Sequence, residues 1–262
     1  MAPGISGSGR TILVVPCYNE AARWRAEYWE QICTSGSIAL LFVNDGSTDG
    51  TQAQIDATCA ATGSSFVAMP VNSGKGEALR YGLQQASGSD VDIIGFLDAD
   101  AAFTSDDVQR INALAHTLVQ GSGFDSDWAS RILLGGRDVQ RKASRHYIGR
   151  LVATLLAPIH KHPVYDTQTG FKLFLRDDRF RACLGTPFVT RWFPDIELML
   201  RWRSAQASPM RVWEEPVMAW HDVDGSNLGG RHTWSIIKEI WRLYRSPERR
   251  SSAGTLQGSR GN

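Results

Sequence analysis

Short apolar, β-rich runs, each followed by a segment with helical periodicity, constrain the fold of this chain more than any other feature. Thr11–Pro16, Ala39–Asn44, Ser65–Met69 and Asp92–Leu97 read as buried strands. Glu20–Cys33, Thr48–Ala61, Lys75–Ala86 and Ser105–Gln120 read as the helices that alternate with them. Such a βαβ series implies an α/β fold with a mostly parallel sheet and right-handed crossovers. Ligands in these sheets bind outside the carboxyl ends of the strands. Pro16-Cys17-Tyr18-Asn19-Glu20, Asn44-Asp45-Gly46-Ser47 and Asp98-Ala99-Asp100 all fall at those ends, so three polar clusters are expected along one edge.

The second half is less regular. Ile132–Gly136, Gly170–Leu175 and Arg211–Glu215 resemble strands, Arg145–Ala157 is a basic helical stretch, and Pro194–Ala205 reads as a helix. No internal repeat or linker divides the chain, which predicts one domain over residues 11–245 between disordered tails, 1–10 and 246–262. The 28 basic and 27 acidic residues give a formal charge of +1, so no global field selects nucleic acid. Four cysteines without CxxC spacing read as thiols of a reducing compartment. Without a secretory signal or an apolar run of about 18 residues, the expectation is a cytoplasmic protein, peripheral on a membrane face at most.

Asp98 and Asp100 end the apolar run Ile93-Ile94-Gly95-Phe96-Leu97, and alternate strand side chains share a face. Two converging carboxylates suit a hard divalent cation that a diphosphate also holds; as a solvated loop, each would cap the following helix. Asp45 ends another strand, where its carboxylate can accept from a ring N–H such as uracil offers, while Ser47, Thr48 and Asp49 read as helix-capping residues. Lys75 lies between Gly74 and Gly76 at a helix start, a place for a phosphate or for an ordinary loop lysine. Arg137, Arg145 and Arg150 fit either a solvated basic face or an anion site. The dinucleotide fingerprint GxGxxG is absent, which disfavours a nicotinamide dehydrogenase.

Taken in order, Val15–Glu20, Val43–Thr51, Asn72–Gly76 and Phe96–Asp100 resemble the motifs of family-2 glycosyltransferases with the GT-A fold. In the second half, Asp166–Phe174, Trp192–Leu198, Glu215–Val217 and Asp224–Leu228 are similar to the dolichyl-phosphate β-glucosyltransferase branch. The resemblance implies that Pro16, Tyr18, Asn19, Glu20 and Asp45 line a uridine pocket, with Lys75 beside the nucleotide. It implies Asp98 and Asp100 at the ribose and a Mg²⁺ or Mn²⁺ ion, and direct inversion at the sugar. Arg137 and Asp195 become catalytic candidates, and Arg145, Arg150 and Gln168 acceptor-binding candidates. Ala102 stands where related enzymes carry another polar residue, and cannot coordinate a metal.

The implied reaction moves a sugar, glucose by the second-half likeness, from UDP-glucose to a polyprenyl phosphate. GDP in place of UDP, a soluble hydroxyl acceptor, and a nucleotide-sugar-binding protein without turnover are the alternatives. A hydroxyl acceptor requires a base, for which Asp195 and Glu197 are the candidates; two apart on a helix, at most one should point inward. His221, at a strand end, reads as structural. In Thr233–Arg245, Trp234, Ile236, Ile237, Ile240, Trp241 and the residues Leu243 and Tyr244 group on one half of the helix. Lys238, Glu239, Arg242 and Arg245 hold the other, which suits a lipid headgroup interface or a helix packed on its own domain.

Overall fold

The computed structural model describes residues 9–121, 123–140, 152–158, 164–206, 208–221 and 233–246. Its centre is a seven-stranded sheet of order β3-β2-β1-β4-β7-β5-β8. The strands are β1 (Thr11–Cys17), β2 (Ile38–Asp45), β3 (Ser65–Met69), β4 (Ile93–Leu97), β5 (Ser126–Ser130), β7 (Phe171–Leu175) and β8 (Val212–Pro216). β1, β2, β3 and β4 are mutually parallel, as is β5 with β8. β7 runs antiparallel between β4 and β5. A two-stranded sheet of β6 (Asp138–Gln140) and β9 (Ala219–His221) meets Phe103 through Trp220.

The alternation expected of buried strands sorts the core onto both faces of the sheet. Ile12, Val14, Leu41 and Val43 pack with Ala78, Leu79 and Leu83 of helix α3 (Lys75–Ala86). Leu13, Val15, Leu40 and Phe42 pack on the opposite face. There they meet helices α1 (Ala26–Cys33) and α4 (Ser105–Gly121). A Cβ on Gly82 would stand 2.5 Å from Val14 Cγ1 and 2.6 Å from Val43 Cγ2, so only glycine lets α3 lie this close to the sheet. Helices α2 (Thr51–Thr62), α5 (Asp178–Cys183), α6 (Pro194–Gln206) and α7 (Thr233–Arg245) complete the set used below.

The elements depart from the sequence expectation at three places. Ile132–Gly136 is not a strand; the chain pairs upstream at β5, whose residues are all buried. Leu133 and Leu134 are instead exposed, and Gly136 has φ +79 in a turn. The helix expected over Glu20–Cys33 is broken into a 3₁₀ turn, Ala21–Arg23, and α1, because Trp24 adopts extended backbone. Its indole Nε1 donates to Thr58 Oγ1 at 3.1 Å while its ring packs on Trp29 and Phe42. α2 starts at Thr51 rather than Thr48, and Asp49, not Ser47 or Thr48, takes the Thr51 amide at 2.9 Å. Arg145 and Arg150, with most of the basic stretch, lie outside the described residues; residues 152–158 are helical.

Candidate active site

β1 lies at the switch point of the sheet, with β2 on one side and β4 on the other, and open α/β sheets bind ligands in the crevice at the carboxyl ends of such strands. Because β7 is antiparallel, its first residue Phe171 pairs with Leu97, and the Asp166–Gly170 loop reaches the same edge. Asp45, 2 % exposed, closes β2 there. The Ser73 amide donates to its Oδ1 at 2.7 Å, and the Gly74 amide and Asn72 Nδ2 donate to Oδ2 at 2.8 and 3.1 Å. Three protein donors leave about one of the roughly four lone-pair directions for a ligand. Asp45 therefore fastens the turn that launches α3 and presents Lys75 as its first residue.

The glycines around Lys75 have packing causes. A Cβ on Gly76 would stand 2.2 Å from the Thr190 carbonyl oxygen, and the Gly76 amide donates to Arg191 O at 2.9 Å. Lys75 Nζ lies 2.6 Å from Asp98 Oδ1. Burial disfavours its charge, but Asp98, Asp195 and Asp100 outweigh that and raise its pKa. Asp100 is raised by burial and by the charge of Asp98 beside it. Ala101 holds φ +52, a left-handed conformation that costs a residue with a Cβ, and the Ala102 amide donates to Asp100 Oδ1 at 3.2 Å. Thus Ala102 orients Asp100 through its backbone.

Two adjacent carboxylates, one with its pKa raised by the other, fit a divalent cation, which would relieve their repulsion. Among the described residues no cluster of three or more His, Cys, Asp or Glu side chains could hold a metal. An ion at Asp98 and Asp100 would complete its shell with phosphate oxygens or water.

The expected pocket residues Asn19 and Glu20 are held by the protein. Asn19, at φ +54, accepts from the Thr48 amide at 2.9 Å, and its own amide donates to Ser47 Oγ at 3.1 Å. Glu20 is buried, and both its carboxylate oxygens accept from the Arg23 guanidinium. Arg23 NH1 is buried without a hydrogen-bond partner, and Asp100 and Asp98 raise the Arg23 pKa beyond the effect of Glu20. Arg23 thus belongs to this site; its position three residues after Glu20 was the available signal. Pro16 is half-buried and Tyr18 is 38 % exposed at the same edge.

On the other flank, Asp195 and Glu197 stand in the first turn of α6, and both are buried, at 5 % and 3 % exposed. Two apart on the helix, they go to different buried partners. Glu197 accepts from the Val189 amide at 3.0 Å, from Thr190 Oγ1 at 3.0 Å and from Arg201 NH2 at 2.6 Å, a structural role. Asp195 Oδ1 accepts from Lys172 Nζ at 2.8 Å. Burial raises the Asp195 pKa while Lys172 and Lys75 pull it down, and the charge of Asp98 acts on it as well. Gln168 lies in the Asp166–Gly170 loop, with Nε2 buried and unpartnered. Arg137 precedes β6; its amide donates to Leu134 O at 3.2 Å and its NH1 is buried without a partner. His221 faces Asp138 Oδ2 at 3.3 Å on the surface.

α7 divides differently from its helical wheel. Glu239 is buried because its carboxylate accepts from the Trp192 amide at 3.0 Å, beside buried Ile240 and Leu243. Ile237 and Trp241 are 49 % and 58 % exposed. They adjoin exposed Lys238, Arg242 and Arg245, whose guanidinium stands 4.2 Å from the Trp241 ring centroid.

The family model described as Glycosyl transferase family 2 matches residues 12–133. The dolichyl-phosphate beta-glucosyltransferase ALG5A of Trichomonas vaginalis is 29 % identical over 230 residues, covering 82 % of this chain and 67 % of that protein. The human dolichyl-phosphate beta-glucosyltransferase is 28 % identical over 243 residues, 85 % of this chain and 70 % of its own. The chain therefore spans about two thirds of the length of these relatives. Among solved structures, glucosyl-3-phosphoglycerate synthase of Mycobacterium tuberculosis with Mn²⁺, UDP and glucosyl-3-phosphoglycerate superposes with a TM-score of 0.59. Its identity is 20 %, with 90 % of this chain and 78 % of that one covered. With the ordered motifs standing at the strand ends of a mixed, mostly parallel sheet, the chain is similar to glycosyl transferase family 2 over residues 12–133 and carries the GT-A fold.

Proposed function

We propose that this protein transfers glucose from UDP-glucose to a polyprenyl or dolichyl phosphate, with inversion at the anomeric carbon. The observation that carries the reading is the convergence of Lys75, Asp98, Asp100 and Asp195 at one sheet edge. Asp98 and Asp100 would hold Mg²⁺ or Mn²⁺, which supplies neutralisation of the charge on the departing diphosphate. Lys75, fixed by Asp45 at the amino end of α3, meets the same phosphates with a second positive charge and the helix dipole. Asn19, Glu20 and Arg23 form the wall against which the nucleoside lies. The names of the dolichyl-phosphate relatives support the lipid acceptor and the glucose.

A phosphate monoester, with a second pKa of about 6, is already ionised near neutrality and attacks without a base. The runner-up reading, a soluble hydroxyl acceptor, is favoured by Asp195, a buried carboxylate beside Asp98 and Lys75 that can take a proton. The exposed stripe of α7 supports lipid contact: Ile237 and Trp241 suit a headgroup boundary, and Lys238, Arg242 and Arg245 suit anionic lipid. No helix among the described residues is long and apolar enough to cross a membrane.

Nucleotide release from UDP-glucose and GDP-mannose with Mg²⁺ or Mn²⁺, with and without polyprenyl phosphate, tests the reading. Release from UDP-glucose that requires the lipid phosphate and disappears in Asp100→Asn is the expected result. Release stimulated only by hydroxyl acceptors would replace the lipid reading, and no release with any acceptor would remove the enzymatic one.

A further inference from the structure

We propose that Lys172 is a positioning residue: its ammonium ties the Asp195 carboxylate and the backbone of Thr167 and Thr169 into one rigid acceptor-side unit. The strand register places it. In β7, Lys172 pairs with Phe96 on one side and Trp128 on the other, so all three side chains share a face of the sheet. Its Nζ lies 5.2 and 4.6 Å from their ring centroids. The residue is 0 % exposed. Each of its three protons has an acceptor: Thr167 O at 3.0 Å, Thr169 O at 2.6 Å and Asp195 Oδ1 at 2.8 Å.

A lysine so buried is costly unless it is fully paired, and an apolar side chain would fill the same strand position more simply. Two features point to a task beyond packing. Thr167 Oγ1, Gln168 Nε2 and Thr169 Oγ1 are buried without hydrogen-bond partners, so their side chains do not fix this stretch of loop. The backbone contact with Lys172 does, together with the ion pair of Asp166 and Arg131 just before it. Further, the loop continues into Gly170, whose carbonyl accepts from the Asp98 amide at 2.9 Å. Lys172 is thereby linked to both flanks of the crevice, to Asp195 directly and to the Asp98 strand end through the loop. Burial lowers the Lys172 pKa, with Asp195 opposing that effect.

The proposal rests on Asp195 serving the acceptor side of the transfer reaction. Lys172→Met, Asp195→Asn and the double variant are compared with wild type on UDP-glucose and the acceptor that wild type uses. Thermal melting reports the fold and UDP–Mn²⁺ titration reports the donor half. Lys172→Met is expected to keep UDP affinity within about threefold while kcat falls about thirtyfold or more. In the Asp195→Asn background the same change should cost less than about threefold, since residues acting as a unit are not additive. A folded Lys172→Met with wild-type kcat and acceptor KM overturns the proposal, as does a full additional loss on Asp195→Asn. If Lys172→Met does not fold, Lys172→Met/Asp195→Leu supplies an apolar pair, and turnover below that of Asp195→Leu alone overturns the proposal. Wild type that binds UDP–Mn²⁺ but transfers to neither polyprenyl phosphate nor a hydroxyl acceptor overturns the functional reading, and this proposal with it.

Discussion

Gly170→Ala is the substitution whose effect follows most directly from the geometry. A methyl group built on Gly170 would stand 2.3 Å from Asp98 Oδ2, 2.4 Å from its Cγ and 3.0 Å from its Cβ. Ordinary heavy-atom contacts lie near 3.5 Å, so relief requires a displacement of about 1 Å. The backbone resists moving. The Asp98 amide is bonded to Gly170 O at 2.9 Å, and the next residues, Leu97 and Phe171, are paired in the sheet. The carboxylate must therefore leave its present position, in which Oδ1 meets Lys75. A misplacement of about 1 Å in a catalytic group costs about a hundredfold, equivalent to about 2.7 kcal/mol in the barrier. Overpacking should also lower stability by about 1–3 kcal/mol.

The assay is kcat/KM for nucleotide release from UDP-glucose with Mn²⁺, alongside Mn²⁺–UDP affinity and a thermal melt. Gly82→Ala is the matched control, since its methyl would strike Val14 and Val43 in the core, away from the strand ends. At a temperature where both variants are folded, Gly170→Ala should lose about a hundredfold and Gly82→Ala less than about threefold. Wild-type kcat/KM in Gly170→Ala would refute the reasoning, because the Asp98 carboxylate would then have no need of its present position.

Three further expectations have independent causes. Asp127 is buried with both carboxylate oxygens unpartnered; burial and the charge of Glu215 push its pKa up to about 8, against Arg110. Between about pH 4 and 8 the folded state keeps a proton that the unfolded state has released, so stability should fall as pH rises through that window and level off above it. The full span is of order 5 kcal/mol, and urea denaturation of Asp127→Asn from pH 5 to 9 should lose this slope; an unchanged slope would assign it elsewhere. Asp45→Asn sets an amide group against the donors of Ser73, Gly74 and Asn72, and should weaken UDP binding about tenfold by loosening the Lys75 turn, checked by calorimetric titration. Replacing Lys238, Arg242 and Arg245 with Gln should reduce cosedimentation with anionic vesicles, at about 1 kcal/mol per charge, while leaving UDP affinity unchanged.

The parts of this protein readable from the chain are those governed by neighbouring residues. β3 and α3 occur over the expected residues, and β1, β2 and β4 differ only at their ends, because apolar periodicity and turn residues act locally. Those same elements carried Asp45, Lys75 and the Asp98–Asp100 pair to one edge, as a parallel sheet requires. The boundaries failed where a distant partner competed with local preference. Trp24 leaves the helical path to meet Phe42 and Thr58, and the strand expected at Ile132–Gly136 forms instead where β7 and β8 offer edges.

Roles within the site depended still more on distance along the chain. Asp195 and Glu197 are alike in sequence, and only the packing of α6 gives one to Lys172 and the other to Thr190 and Arg201. Lys172 could have been noticed as a cation inside an apolar strand, but nothing local identifies its three acceptors. The insertion of an antiparallel β7 between β4 and β5 brings Gly170 against Asp98 across some seventy residues. The sequence by itself determined the βαβ series and the edge where its polar motifs stand, since both follow from backbone periodicity and short-range sterics. Only the tertiary structure decided which carboxylate faces the crevice and which cation holds it, since burial and charge pairing act through space between segments that share no local pattern.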